Sequence, residues 1–360
     1  MERNWDMFDY ILESKEAVRH IVEHQDEIFN EAISYCDTDI DTIYIIGSGT
    51  SYHSALCARS VLEKELKIKV NAAYPIRFKD DELITSKNTL VIGISHAGRS
   101  SSTIMGLDHA RDLGLKTISM TAEKDRPIME HADKNVYIDI GHEYAGPKTK
   151  GFFCSIATIV IFGLKLGVSK GLITEQRKQE IIERMLKTTD NIPDIAMKAD
   201  KWYQNNREDL MKSRRIIVVG YDNCLGAMME GTLKISEACR YSVIGYELEE
   251  FMHGIYHGID ENTYMLYIAS PGQYYERCMR MRDYFDKERK AHNYVITSDH
   301  KYDNEKRTFV YDFMNDPYFE GMEYIVALQV IARRLSADLG IDCNESSDPN
   351  FHKKMASYTY

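Results

Sequence analysis

The chain has 360 residues, 44% of them hydrophobic and 28% charged, and a formal net charge of −11. The length fits about two domains, and the composition is that of a globular protein with a sizeable core. The acidic balance speaks against a nucleic-acid or membrane surface, which needs clustered Lys and Arg, but leaves room for a small anion held by backbone N–H groups at a helix N-terminus.

Residues 6–36 carry apolar positions at three- and four-residue spacing (Met7, Ile11, Val18, Ile21, Val22, Ile28), which predicts an amphipathic helical segment. Strands are predicted at Thr42–Ile46, Val70–Ala73, Thr89–Ile94, Lys116–Met120 and Asn135–Ile138, with helices at Ala55–Leu66, Ile104–Leu113 and Arg126–His131. The apolar run Phe152–Leu164 has 13 residues, fewer than the ~20 that span a bilayer, and reads as a buried core helix. Residues 174–213 are charged and helical.

The pattern then restarts. Strands are predicted at Arg215–Val219, Thr263–Ala269, Tyr294–Thr297 and Thr308–Tyr311, with helices at Leu225–Cys239 and Tyr324–Leu339. Strands alternating with helices imply parallel sheets covered on both faces. A strand, a Gly turn and a helix open each half, at Ile43–Gly49 and at Ile216–Gly226, as an internal duplication would. The expected division is a helical segment over 1–36, domains over 37–170 and 201–345, interdomain helices over 171–200 and a tail over 346–360.

The seven cysteines (Cys36, Cys57, Cys154, Cys224, Cys239, Cys278, Cys343) are scattered and contain no C-x-x-C. They read as free, mostly buried thiols of a reducing compartment. Met1–Asp9 is polar and acidic, unlike a signal peptide, so a cytoplasmic location is expected.

Open parallel sheets bind ligands beyond the carboxyl ends of their strands. Two predicted turns of the first half lie there. Gly47-Ser48-Gly49-Thr50-Ser51 and Ser95-His96-Ala97-Gly98-Arg99-Ser100 both place glycines and hydroxyls before a helix, as a phosphate cradle would. The plainer reading of each is N-capping, worth about 1 kcal/mol per cap; two such turns on consecutive strands favour a ligand. Neither turn is a G-x-G-x-x-G dinucleotide fingerprint or a G-x-x-x-x-G-K-[ST] loop.

These turns resemble the G-x-G-x-S and S-x-S-G-x-[ST] phosphate loops of the sugar isomerase (SIS) family. The likeness continues in Gly231-Thr232-Leu233-Lys234-Ile235-Ser236-Glu237, in Glu250-Phe251-Met252-His253-Gly254 and in the tail Asp348-Pro349…Lys354, which are similar to segments of the isomerase half of glucosamine-6-phosphate synthase. The resemblance implies two tandem, doubly wound SIS domains, flavodoxin-like and three-layered. It implies that Gly49, Thr50, Ser51, Ser95, His96, Gly98 and Ser100 hold a sugar phosphate.

It further implies Glu237 as the base that moves a proton between adjacent carbons. A carboxylate suits this when partial burial lifts its pKa, and Glu237 is expected near the carboxyl end of the second sheet. Lys234 lies one turn earlier on the same helix and would handle the proton or sugar oxygens. His253 would open the sugar ring, donated to the site of a neighbouring subunit in a homodimer. Lys354 or its neighbour Lys353 would enter from the tail. His257 matches no motif, and with His253 it lacks the acidic or Cys partners of a metal site; neither metal nor cofactor is expected.

The chain departs from the family's loops at Ala97, where a second serine is usual. Arg99 and Lys148 stand where synthases carry acidic residues, and added positive charge would suit a substrate carboxylate. The opening Met1-Glu2-Arg3 lacks the catalytic N-terminal cysteine of the full synthase, so glutaminase activity is not expected. The reading is a deglycase or isomerase of an aminated hexose 6-phosphate, of fructosamine 6-phosphate type, acting through an enamine or enediol. A glucosamine-6-phosphate deaminase, an aldose–ketose isomerase and a non-catalytic sugar-phosphate-binding module stay open beside it.

Overall fold

A computed structural model describes residues 5–36 and 39–360. Met1–Asn4, which bear on the missing N-terminal cysteine, and Asp37–Thr38, at the expected start of the first domain, lie outside the described residues.

The chain packs as two units that are not contiguous in sequence. One comprises Ser14–Glu143, Lys150–Leu186 and Ser346–Tyr360; the other takes the residues up to Glu13, Tyr144–Thr149 and Lys187–Glu345. They are called the first and second unit below.

The first unit holds strands β1 (Thr42–Ile46), β2 (Lys69–Ala73), β3 (Thr89–Ile94), β4 (Lys116–Thr121) and β5 (Lys134–Tyr137). All neighbours are parallel, in the order β2-β1-β3-β4-β5. Tyr44, Ile46 and Val91 pack on Ile104, Leu107 and Ala110 of helix Ser101–Asp112. Their alternates Ile43, Ile45, Leu90 and Ile92 are equally buried, as a sheet covered on both faces requires.

The second unit holds β6 (Arg215–Gly220), β7 (Ser242–Glu247), β8 (Tyr264–Ala269), β9 (His292–Thr297) and β10 (Thr308–Val310). Its order, β7-β6-β8-β9-β10, again all parallel, repeats that of the first. Ile217, Val219, Met265, Tyr267 and Val295 form one core face with Cys278, Met279 and Phe285. The duplication expected from the sequence is therefore present in topology.

Two expectations need correction. Helix Lys150–Ser169 runs 20 residues and is apolar enough to cross a bilayer, so the run is not too short. The expected core helix is nonetheless borne out, by burial rather than by length: 89% of its apolar window is buried. The helix expected at Arg126–His131 is a single 3₁₀ turn, Pro127–His131. All seven cysteines are buried, and none is in a disulfide among the described residues.

Candidate active site

In a sheet of order 2-1-3-4-5 the order in which strands are added reverses between β1 and β3, and the crevice there is the usual ligand site. Ile46 pairs with Gly93 across these strands, so the turns that follow them start side by side. The turn carrying Gly49, Thr50 and Ser51 and the turn carrying Ser95, His96, Gly98 and Ser100 thus leave neighbouring strands at the same end of the sheet, and a Cβ on Gly47 would stand 3.2 Å from the Ile94 carbonyl oxygen.

Each turn has its own local cause. Gly49 caps helix Thr50–Leu66 at φ 57° and ψ −133°, and Gly98 stands at φ 65°; side chains disfavour both conformations. Ser51 and Ser95 are buried. Ser95 Oγ accepts from Ser100 N–H at 3.3 Å, and Ser100 Oγ caps the next helix by accepting from Thr103 N–H at 3.4 Å. Thr103 Oγ1 donates to Ser100 Oγ at 3.0 Å, and Ser102 Oγ lies 3.2 Å from it. The plain capping role expected of Ser100 is real, and it sits within a connected cluster of hydroxyls.

The tail joins this turn. Ser101 N–H donates to Ser357 C=O at 3.1 Å, Thr359 N–H to Arg99 C=O at 2.8 Å, and Ser100 pairs with Tyr358 as an antiparallel bridge. The Arg99 guanidinium lies 5.5 Å from the Tyr360 ring centre. The tail reaches the turn through its backbone and aromatic rings; Lys354, by contrast, is exposed on helix Phe351–Lys354 and pairs with Asp348 at 2.8 Å. Lys148, in the second unit, donates to Ala145 C=O at 2.9 Å.

The second unit's own crevice, between β6 and β8, is bridged by a side chain. The Tyr221 hydroxyl donates to Ser270 C=O at 2.5 Å and ties the two turns together. Buried Glu320 lies beside them, near Asp222 and bonded to Ser270 and Asn223. The duplicated position has no hydroxyl-rich cradle and carries negative charge instead.

What the second unit offers lies on helix Leu225–Cys239. Lys234 Nζ donates to Glu237 Oε1 and lies 3.4 Å from Glu230 Oε1. Exposure rises along this ladder, from 0% at Glu230 and 2% at Lys234 to 37% at Glu237. Glu230 was missed by sequence reasoning, although its i, i+4 spacing to Lys234 was the available signal. The place expected for Glu237 is wrong. A crossover helix leaves the carboxyl end of one strand and returns to the amino end of the next, so Glu237, in the last turn before β7, stands at the amino end of its sheet. His253 lies beyond β7, on an exposed turn where its N–H donates to Glu250 C=O at 3.0 Å.

Two duplicated, doubly wound α/β units, one with a polar cradle at its switch point, define the class. The SIS domain family matches residues 38–164. A crystal structure from Clostridium difficile 630, provisionally designated a phosphosugar isomerase, superposes with a TM-score of 0.92 at 30% identity over 99% of both chains. A Salmonella typhimurium LT2 structure, provisionally designated a sugar binding protein, follows at 0.82 and 26% identity, over 91% of this chain and 99% of that one. The glutamine–fructose-6-phosphate aminotransferase [isomerizing] of Clostridium acetobutylicum is 26% identical over 239 residues; these span 66% of this chain and only 39% of that relative. The chain belongs to the SIS family.

Proposed function

We propose that the protein is a phosphosugar deglycase or isomerase acting on an aminated hexose 6-phosphate. In this reading the phosphate rests on the turns after β1 and β3, and Glu237 is the base. With a fructosamine 6-phosphate, Glu237 takes a proton from C1, giving an enaminol. Its return to C2 gives a C1 imine, which water hydrolyses to free amine and aldose 6-phosphate. Lys234, against Glu237, steadies the carboxylate or the sugar oxygens.

The observation that carries the reading is the ladder on helix Leu225–Cys239: a partly open carboxylate touching a buried ammonium that has a second carboxylate behind it. A solvent-facing helix glutamate has no need of such a partner, and burying a lysine is costly unless it is paired.

The position of His253 supports a dimer. β7 has six residues, roughly 17–20 Å at the usual rise. Glu237 precedes it and His253 follows it, so one unit cannot aim both at the same substrate atom. If both act on one sugar, they come from different copies.

The name carried by the Salmonella relative favours a second reading, a sugar-phosphate-binding module without catalysis. Glu237→Gln separates the two. In the enzymatic reading it keeps affinity for fructose 6-phosphate and loses turnover by ~10²-fold or more, measured as amine released from fructosamine, glucosyl-lysine and glucosamine 6-phosphates. Wild-type protein that binds fructose 6-phosphate but turns over none of this panel would sink the enzymatic reading.

A further inference from the structure

The turn after β3 is gripped from two sides. At the end of β4 and just beyond it, Thr121 Oγ1 and Ala122 N–H donate to the His96 carbonyl at 3.1 and 3.0 Å. On the other side the His96 ring lies against the first turn of helix Lys150–Ser169. A Cβ built on Gly151 would stand 2.6 Å from His96 Cε1 and 3.0 Å from Nδ1, inside van der Waals contact. Only a residue without a side chain lets the ring lie there.

That bare backbone is itself fixed. Glu143, 2% exposed, accepts from Gly151 N–H at 3.0 Å with one carboxylate oxygen and from Lys150 N–H at 3.2 Å with the other. Lys150, 1% exposed, donates Nζ to Ile140 C=O at 2.7 Å. Charges buried this deeply are tolerated only with full hydrogen bonding, and the bonding here pins the start of the helix. The proposed chemistry uses none of Glu143, Lys150 or Gly151.

We propose that Gly151 is a positioning residue for the anion turn: its backbone, held by Glu143, is the floor that sets where the His96 ring and the Ser95–Ser100 turn meet the phosphosugar. This rests on the reading that the turn binds a sugar phosphate. Alanine is a better helix former than glycine, and the ring can swing aside to admit a methyl group. Gly151→Ala therefore leaves the helix sound and moves the turn.

The test is calorimetric titration of the full chain with fructose 6-phosphate, with thermal unfolding run alongside. Gly151→Ala is expected to weaken binding by ~10-fold, the loss that goes with one hydrogen bond to a charged group. In a His96→Ala background the same substitution should change affinity by less than ~2-fold, because the ring it displaces is gone. Glu143→Gln, which turns one acceptor into a donor facing a backbone N–H, is the second variant should Gly151→Ala not fold; it should weaken binding in the presence of His96 and little in its absence. Wild-type affinity in Gly151→Ala, or an equal loss with and without His96, overturns the proposal. Wild-type protein that binds no fructose 6-phosphate overturns the phosphosugar reading, and the positioning role with it; the wild-type titration tells the two failures apart.

Discussion

Glu320 is 6% exposed at the start of helix Glu320–Asp338. Burial first, and then the charge of Asp222, push its pKa up from 4.5 to about 7, against hydrogen bonds from Ser270 and Asn223 that pull it down. The folded state therefore holds this proton between about pH 4.5 and 7, where the unfolded chain has released it. Its contribution to stability is whole below pH 4.5 and is lost as pH rises through 7. Glu320→Gln removes the charge that the fold disfavours. It should stabilise the protein by up to about 3 kcal/mol at pH 8 and by little at pH 4.5, read from urea unfolding at both values. An equal effect at the two pH values would show that Asp222 and burial do not act on Glu320 as described. Nothing in the sequence marked this residue, because Asp222 and Glu320 meet only when β6 and the last long helix are folded. Glu237 and Lys234 were legible as residue types at a motif spacing, whereas the end of the sheet they occupy was not.

Elements were read from the sequence best where burial is continuous on both faces. β1 and β3 carry unbroken apolar runs and were found at their true bounds, Thr42–Ile46 and Thr89–Ile94. β7 was missed for a physical reason. It is an edge strand with little burial, and Gly245 interrupts it because a Cβ there would stand 2.5 Å from Met228 Sδ and from Thr232 Oγ1. Helix Tyr275–Tyr284 was missed because arginines and a glutamate crowd its exposed face and hide the buried Cys278, Met279 and Met281. Gly231 was legible as part of a family-like segment, but not as a packing position, and such glycines set how closely helices approach. A Cβ on Gly231 would lie 2.2 Å from Leu328 Cδ1 and 2.9 Å from Leu328 Cβ, and both Leu328 and the surrounding helix Glu320–Asp338 are buried. Gly231→Val should force these helices apart and cost about 1–3 kcal/mol by overpacking, measured by chemical denaturation; Gly231→Val with Leu328→Ala should recover part of that loss. A variant as stable as wild type would mean that the helices are not in contact at this point. Because helix Leu225–Cys239 also carries Glu237, the same variant should lower turnover.

At the scale of the whole molecule, the repeated topology poses a question that one chain does not answer. Two units share the strand order, yet the second has its crevice bridged by Tyr221 and lined by Glu320, so duplication has left one cradle rather than two. The second unit offers instead the Glu237 ladder and the exposed His253, at opposite ends of β7. In the proposed reading a monomer with that separation is half-equipped, and a symmetric dimer that exchanges His253 would be complete twice over. The two arrangements differ in a measurement that needs no structure. Glu237→Gln and His253→Ala should each be inactive alone. Mixed in equal amounts and allowed to exchange subunits, half of the dimers become heterodimers. Each of these pairs an intact Glu237 from one copy with an intact His253 from the other at one of its two sites, so about one quarter of wild-type activity should return. If both residues served the same substrate from one chain, every site in the mixture would still lack a partner, and no activity would return at any mixing ratio.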